Sequence, residues 1–266
     1  MVLRFILDSF TCAVRLSDSK MCDDLASDFT SDSTDFFTSK ILDFCVNNSL
    51  HISCAESLTG GLLADSFVNI PGASKVFLGS AVTYDIREKS KILGVDCDLL
   101  KTCGAVEPSV AKQMAFGCAR LYSGAKWQYD CTDSSKDVDS ADFPVIGLST
   151  TGVAGPGPDG LKPQGLAYVG IFIPNVASKR CSSLDFDLVS LKINNIKDRV
   201  FECKCGKISN LSLSRCSTYS VDHGFTLCAQ LNISGDRKDV RIGVVSALIK
   251  IFYSLIFEDW IFYART

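Results

Sequence analysis

The chain has 266 residues, of which 47% are hydrophobic and 21% charged, and its formal net charge at pH 7 is -3. This length and composition allow one or two domains with a sizeable core. The slight negative charge provides no basic surface for nucleic acid or an anionic membrane, so we expect neither as a partner. The 13 cysteines are scattered and include no CxxC pair, a usage typical of reduced thiols in a cytoplasmic protein.

The beginning of the chain predicts a variable lead-in over residues 1–34. Its second half, 17–34, is rich in Ser, Asp and Thr and has no regular hydrophobic period, as in loops and solvated segments. Over 35–47 apolar residues recur at helical spacing, which predicts the first helix. We therefore expect the domain proper to occupy residues 35–258.

A short serine-containing turn is the first candidate for chemistry. An alternating, β-branched run predicts a strand at 50–54, and a helical pattern begins after Gly61. Ser57 would then lie at a strand-to-helix turn, where the first helical amides are unpaired donors that can stabilise negative charge. Gly60 and Gly61 would leave those amides uncovered. The alternative is that Ser57 or Thr59 is an ordinary helix N-cap and that the glycines only permit close packing.

The middle of the chain alternates between strand and helix patterns. An apolar run predicts a buried strand over 76–84, followed by a short helix over 86–93 and a longer helix that begins at Pro108. Between 126 and 142 the composition shifts to Asp, Ser and Thr without periodicity, which predicts a surface insertion. Strand character returns over 143–149.

The C-terminal half begins with a second glycine-rich element at 150–160. It has neither the Gly-Lys-Ser/Thr of a Walker loop nor the dinucleotide-binding fingerprint. A strand is predicted over 166–173, and the short alternating segments of 178–224 predict an added β-rich insertion. The apolar pattern of 238–257 predicts a long helix, and Lys250 divides it into runs too short for a membrane span. We expect a core helix there.

A serine nucleophile needs a base, and histidine is scarce in this chain. His51 falls on the strand before Ser57, and His223 falls in the predicted insertion. Lysine is the remaining simple option, but with a pKa of about 10.4 in solution it must be desolvated to be neutral at working pH. Lys89 is a candidate, since it follows an apolar strand end and Tyr84. Since the chain has only two histidines and one close cysteine pair, Cys203-Lys204-Cys205, a zinc site would have to be mostly thiolate, and we expect no metal.

Several motifs, taken together, resemble the C-terminal domain family of the CinA proteins. They occur in family order from about residue 38 to 257. They are Ala55-Glu56-Ser57-x-Thr59-Gly60-Gly61, Pro71-Gly72-Ala73-Ser74, Val82-Thr83-Tyr84 with Lys89, Leu93-Gly94-Val95, Gly104-Ala105-Val106, Thr151-Gly152-Val153-Ala154-Gly155-Pro156, Lys162-Pro163-x-Gly165 and Ser234-Gly235-Asp236-Arg237. The resemblance implies a three-layer α/β/α fold with a mixed, mostly parallel five-stranded sheet and two insertions, near 126–142 and 178–224.

The resemblance also implies an activity and a set of site residues. Family members are nicotinamide-nucleotide amidases, which convert nicotinamide mononucleotide to nicotinate mononucleotide and ammonia without a cofactor. By position, Ser57 corresponds to the nucleophile, Lys89 to the general base and Tyr84 to a helper close to both. The expected substrate-binding residues are Thr59, Gly60, Gly61, Thr151, Gly152, Gly155 and Arg237.

Three departures from the family pattern leave the exact substrate open. They are Leu58 where the family has cysteine, Ile86 where it has a polar residue, and Glu107 in place of a serine cap. The alternatives are a hydrolase of another small amide and a non-catalytic nucleotide-binding protein of the same fold. The family also suggests a cytoplasmic homo-oligomer.

Overall fold

The computed structural model of the protein describes residues 31–124, 143–196, 198–203, 205–218 and 221–257. The insertion predicted at 126–142 and all but the end of the lead-in predicted at 1–34 therefore lie outside the described residues. The division into a lead-in and one inserted domain stays a prediction.

The N-terminal half follows the predicted order of helices and strands, with one further helix, Cys97–Cys103, that was not predicted. Its elements are α1 (Ser31–Asn47), β1 (His51–Glu56), α2 (Leu62–Val68), β2 (Phe77–Val82), α3 (Ile86–Leu93), α4 (Cys97–Cys103) and α5 (Pro108–Leu121), with a 3-10 turn at Ala73–Lys75. The predicted strand at 76–84 is shorter than expected and is not buried. It forms an edge of the sheet, and Val82 is half exposed there.

The C-terminal half contains more regular structure than predicted. Its elements are β3 (Val145–Gly152), β4 (Leu166–Pro174), α6 (Asn175–Arg180), α7 (Phe186–Ile196), β5 (Phe201–Cys203), β6 (Gly206–Thr218), β7 (Val221–Ile233) and α8 (Arg237–Phe257), with a 3-10 turn at Ser182–Leu184. The alternating segment around Leu184 was interpreted as strand, but it leads into α7. The helical spacing of Val189 and Ile193, both buried, decides the structure there.

One mixed sheet of seven strands organises the fold, in the order β2-β1-β3-β4-β7-β6-β5. Strand β1 pairs in parallel with β2 and β3, whereas the other four pairings are antiparallel. The α/β class is confirmed, but the expectation of five mostly parallel strands was wrong in number and direction. The reason is that β6 and β7 form a long hairpin whose second strand pairs with β4, so this part of the predicted insertion extends the sheet.

Helices cover both faces of the sheet. Helices α1, α2 and α8 pack on one face, and α5 packs on the other, with α3 against it. Side chains alternate accordingly along β1, since Ile52 and Cys54 join the first core and Ala55 packs with Val110 and Met114 of α5. The three-layer arrangement is thus confirmed.

The terminal helix α8 is a core helix, as predicted. By length and composition it could cross a membrane, but 78% of its most apolar window is buried within the protein. Val244, Leu248 and Phe252 are fully buried in the core.

Candidate active site

The candidate site lies where three neighbouring parallel strands end. Because β2, β1 and β3 run in parallel, their carboxyl ends share one edge of the sheet. Ser57 follows β1, Tyr84 follows β2, and Thr151 stands near the end of β3. The topology therefore brings together residues separated by almost 100 positions.

Ser57 and Lys89 are in direct contact. The Nζ atom of Lys89 lies 3.0 Å from the Oγ atom of Ser57. Lys89 is fully buried, and Ser57 is 8% exposed. Nζ also donates to the carbonyl oxygens of Thr83 and Tyr84, at the end of β2. The two carbonyl oxygens thus hold the amine in contact with the Ser57 hydroxyl.

Helix α3 delivers Lys89 to this position. Asp85 caps the helix through a 2.8 Å hydrogen bond from the amide of Arg87, and one turn later Lys89 lies on the buried side. The helix ends at Gly94, whose φ of 70° suits glycine. A capped helix of two turns therefore fixes the lysine from both ends.

Burial tunes Lys89 for proton transfer. Desolvation lowers the pKa of Lys89 to about 8, although the Asp85 carboxylate acts in the opposite direction. In the part of the chain that the structure describes, Lys89 forms no ion pair. A substantial fraction of the amine is therefore neutral near pH 8, and a neutral amine can accept the serine proton.

Tyr84 approaches the pair by its backbone rather than by its hydroxyl. Its carbonyl oxygen lies 3.3 Å from Nζ of Lys89. The hydroxyl instead accepts a 2.8 Å hydrogen bond from Arg237, and the residue is 61% exposed. The structure thus places Tyr84 next to Lys89 as expected, but its hydroxyl bonds to the terminal helix.

Glu56, which the sequence analysis did not assign to the site, is the most heavily bonded side chain near Ser57. It is fully buried, and its two carboxylate oxygens accept five hydrogen bonds of 2.7–3.0 Å. The donors are the Thr59 and Ser80 hydroxyls and the amides of Gly61, Leu63 and Ala64. A signal was available, since an acidic residue directly before a nucleophile turn can satisfy the helix start.

Because Glu56 accepts from one of the expected oxyanion donors, the set of amides available to an oxyanion differs from the expected one. The amide of Gly61, expected to face the substrate, donates to Glu56 instead. Among the described residues, the amides of Leu58, Thr59 and Gly60 have no acceptor. The free donors therefore lie closer to Ser57 than expected.

The alternative interpretation of Ser57 or Thr59 as a helix N-cap is wrong. The N-cap of α2 is Gly61, which has no side chain to offer, and the first-turn amides of Leu63 and Ala64 donate to Glu56 instead. Thr59 donates its hydroxyl to Glu56, and its oxygen lies 2.7 Å from the hydroxyl oxygen of Thr150.

Arg241 of α8 also holds this turn and was also missed. Its Nε donates to the carbonyl of Leu58 at 2.9 Å and its Nη2 to the carbonyl of Thr59 at 2.7 Å. Arg241 lies four residues after Arg237, one helical turn away on the same side. That spacing was the available signal.

The second glycine-rich turn lies beside the first but is internally braced. The Thr151 hydroxyl donates to the carbonyl of Ala105 at 2.7 Å. Gly152 is required for packing, because a Cβ there would lie 2.5 Å from the Cβ of Ala167. The carbonyl of Gly155 accepts from Arg237. Arg237 thus joins Gly155 to Tyr84, and these three predicted residues are brought together.

The described part of the chain holds one group of three potential metal ligands, Asp96, Cys97 and Asp98. These residues are exposed, and Asp96 caps α4 by accepting from the amides of Asp98 and Leu99. None of them contacts the Ser57 turn through a hydrogen bond.

Comparisons with known proteins identify relatives in the family that the motifs suggested. The family model of the CinA C-terminal domain matches residues 35–128. A CinA-like protein of Dictyoglomus turgidum is 40% identical over 134 residues, which cover 50% of this chain and 28% of the relative. A CinA-like protein of Gloeothece citriformis is 42% identical over 125 residues, covering 47% and 25%. The chain thus spans about a quarter of the length of the curated relatives it matches.

Solved structures match over most of the chain. The competence/damage inducible protein CihA from Agrobacterium tumefaciens has a TM-score of 0.54 at 23% identity, covering 84% of this chain and 94% of that one. A CinA superfamily protein from Escherichia coli has a TM-score of 0.54 at 18% identity, covering 88% and 96%. These likenesses establish the fold. The family model and the named relatives match up to about half of the chain to CinA proteins, and the solved structures extend the likeness in fold to most of the chain.

Proposed function

We propose that this protein is a Ser/Lys amidohydrolase that converts nicotinamide mononucleotide to nicotinate mononucleotide and ammonia. The observation that carries the proposal is the 3.0 Å contact between Ser57 Oγ and the buried Nζ of Lys89. A nucleophile in contact with a base of lowered pKa is the arrangement that acyl transfer requires. The pyridine nucleotide as substrate comes from the resemblance to the CinA family.

The reaction would proceed in two stages. Neutral Lys89 accepts the Ser57 proton as Oγ attacks the carboxamide carbon, and the backbone amides of Leu58, Thr59 and Gly60 bind the developing oxyanion. The carbon–nitrogen bond then breaks, and the lysinium returns its proton to the leaving nitrogen, which departs as ammonia. A water molecule attacks the acyl-enzyme with Lys89 again as the base, and Ser57 is regenerated.

Arg237 supports recognition of the substrate phosphate. Its guanidinium lies at the same edge as the reactive pair, through its contacts with Tyr84 and Gly155. A guanidinium can bind phosphate through paired hydrogen bonds. Remote binding energy of this kind would position the carboxamide for attack.

The test is ammonia release from nicotinamide mononucleotide, nicotinamide riboside and free nicotinamide, with Ser57→Ala as the blank. We expect a far larger kcat/KM for the nucleotide. Equal values for the nucleotide and free nicotinamide would contradict the assignment and favour a hydrolase of another small amide. Binding of nucleotide without any turnover would favour a non-catalytic nucleotide-binding protein.

We further propose that the protein acts in the cytoplasm as a homo-oligomer. Cys45, Cys54, Cys97, Cys103, Cys118, Cys181 and Cys228 are free thiols, which suits a reducing compartment. Sedimentation analysis of the purified protein would test the assembly, and a monomer at all concentrations would contradict it.

A further inference from the structure

The contacts of Arg241 constrain the direction of the amides after Ser57. In a trans peptide unit the carbonyl and the following N–H point in opposite directions. Arg241 binds the carbonyls of Leu58 and Thr59, so the N–H groups of Thr59 and Gly60 point away from the guanidinium. These are two of the amides that lack an acceptor within the described residues.

A single guanidinium holds both peptide units in one orientation. Its nitrogen atoms form a rigid planar fork, so carbonyls bound by Nε and Nη2 must face the same way. Gly60, with φ at 57°, then turns the backbone into the left-handed region, which supports a concave arrangement of consecutive N–H groups. The turn therefore presents two donors, both directed away from the guanidinium, that no protein group occupies among the described residues.

Glu56 and Arg241 hold this turn through different backbone groups. Glu56 binds the amides of Gly61, Leu63 and Ala64, which would otherwise compete for the same negative charge. Arg241 binds carbonyls and no carboxylate in the described part of the chain. Because Arg241 neutralises no acid there but binds two consecutive carbonyls, we infer that it orients the backbone of the turn.

We propose that Arg241 is a positioning residue that aligns the backbone oxyanion site of Ser57 from the terminal helix. The proposal rests on the proposed acyl-transfer function, but it does not depend on which amide is the substrate. Arg241 touches neither Ser57 nor Lys89 through a hydrogen bond. Its effect should therefore fall on transition-state stabilisation and leave the base unchanged.

The experiment measures Ser57 reactivity in the full chain with two arginine variants. A fluorophosphonate probe phosphonylates an activated serine: the Oγ–P bond forms, the P–F bond breaks, fluoride leaves and Lys89 takes the proton. The rate constant and its pH dependence are measured for wild type, Arg241→Met and Arg241→Lys. Lys238→Met is the matched control, because it removes an exposed cation from the same helix.

We expect Arg241→Met to lower the phosphonylation rate about 100-fold, in the range seen when one oxyanion donor is lost. Arg241→Lys should lose about tenfold, because an ammonium offers one compact donor group instead of a planar fork. Lys238→Met should stay within about twofold of wild type. The pH midpoint of labelling should stay at the wild-type value in both arginine variants, and in amide hydrolysis kcat should fall while KM changes little.

Several outcomes would overturn the proposal. A loss below threefold in Arg241→Met, or a change confined to KM, would contradict it. A shifted pH midpoint would show that the base had moved. If Arg241→Met does not fold, as judged by circular dichroism, wild-type rates in Arg241→Lys overturn the proposal instead. A wild type that labels at Ser57 but hydrolyses no pyridine nucleotide refutes the proposed substrate alone, whereas a wild type that resists the probe refutes both.

Discussion

Two glycine-rich turns end the neighbouring parallel strands β1 and β3, and their chemistry differs. The turn after β1, residues 57–61, leaves amides without acceptors among the described residues and places Ser57 against the buried Lys89. The turn after β3, residues 152–157, bonds inward, with the amide of Val153 to Leu166 and that of Gly157 to Gln164. Glycine content predicts both turns equally well. It does not distinguish a turn that forms a candidate active site from a turn whose hydrogen bonds only stabilise the fold.

The difference comes from side chains that arrive from elsewhere in the chain. In the first turn Glu56 binds the later amides and Arg241 binds the carbonyls, so that the intervening N–H groups stay available. In the second turn Arg237 binds the carbonyl of Gly155 from the terminal helix, and Gln164, just before β4, joins Gly157 to Gly235. Comparing substitutions in the two turns can therefore separate effects on catalysis from effects on the stability of the fold.

The largest effect should come from the reactive pair. Ser57→Ala and Lys89→Ala should each lower kcat by about 10⁴-fold or more, and the double variant should be scarcely worse, because both belong to one reacting unit. Steady-state ammonia release measures this. Thr151→Ala, the matched loss of a hydroxyl at the end of β3 beside the second turn, should cost less than about tenfold. Multiplying losses in the double variant would remove Lys89 from the role of base.

Glu56→Gln should destabilise the protein strongly. The buried carboxylate accepts five hydrogen bonds, and an amide cannot accept all of them because its NH₂ group faces donors. We expect the free energy of unfolding to fall by about 4 kcal/mol, because each buried donor left without an acceptor costs about 1–3 kcal/mol. Urea unfolding measures this.

The second turn again provides the control for stability. Gln164 bridges the Gly157 amide and the Gly235 carbonyl near the surface, so Gln164→Ala should cost about 1 kcal/mol. Similar losses in Glu56→Gln and Gln164→Ala would show that the first turn is not specially supported.

The lowered pKa of Lys89, about 8, predicts two pH dependences. Activity requires the neutral amine of the free enzyme, so kcat/KM should rise about tenfold per pH unit below 8 and level off above it. Lys89→Met is the control, because it retains the bulk of the side chain but has no group that titrates. A flat profile between pH 6 and about 9 would exclude Lys89 as the base.

Stability should follow the same titration. Below pH 8 the lysine is protonated in both states, and the folded state bears the cost of burying the charge. Between pH 8 and about 10.5 only the unfolded state keeps the proton, so stability rises with pH. The free energy of unfolding of wild type minus that of Lys89→Met should therefore increase over this range, on the order of 3 kcal/mol in full. A constant difference would contradict the lowered pKa.

The smallest effects should come from the residues that join the two turns. Arg237→Ala should reduce the ratio of kcat/KM for nicotinamide mononucleotide over free nicotinamide by about tenfold, if the guanidinium binds the phosphate. Tyr84→Phe, which removes only the hydroxyl bonded to Arg237, should reduce the same ratio by about threefold. An unchanged ratio in Arg237→Ala would exclude Arg237 from phosphate recognition.

The sequence by itself determined the local elements near the site. The strand before Ser57, the helix that carries Lys89 and the helix after Pro108 follow from hydrophobic period and from stop signals such as Gly94. These signals act within a few residues, so a single chain is enough to identify them. The motifs also indicated the family and the residues of the reactive pair.

Only the tertiary structure decided which backbone groups remain available at the site. The bonds from Arg241 to the carbonyls of Leu58 and Thr59 span more than 180 residues, and no local pattern encodes such a contact. The hairpin of β6 and β7 likewise became part of the sheet because β7 pairs with β4 over nine positions. Strand pairing and hydrogen-bond competition depend on which groups meet in three dimensions, and that is settled by the packing of the whole chain.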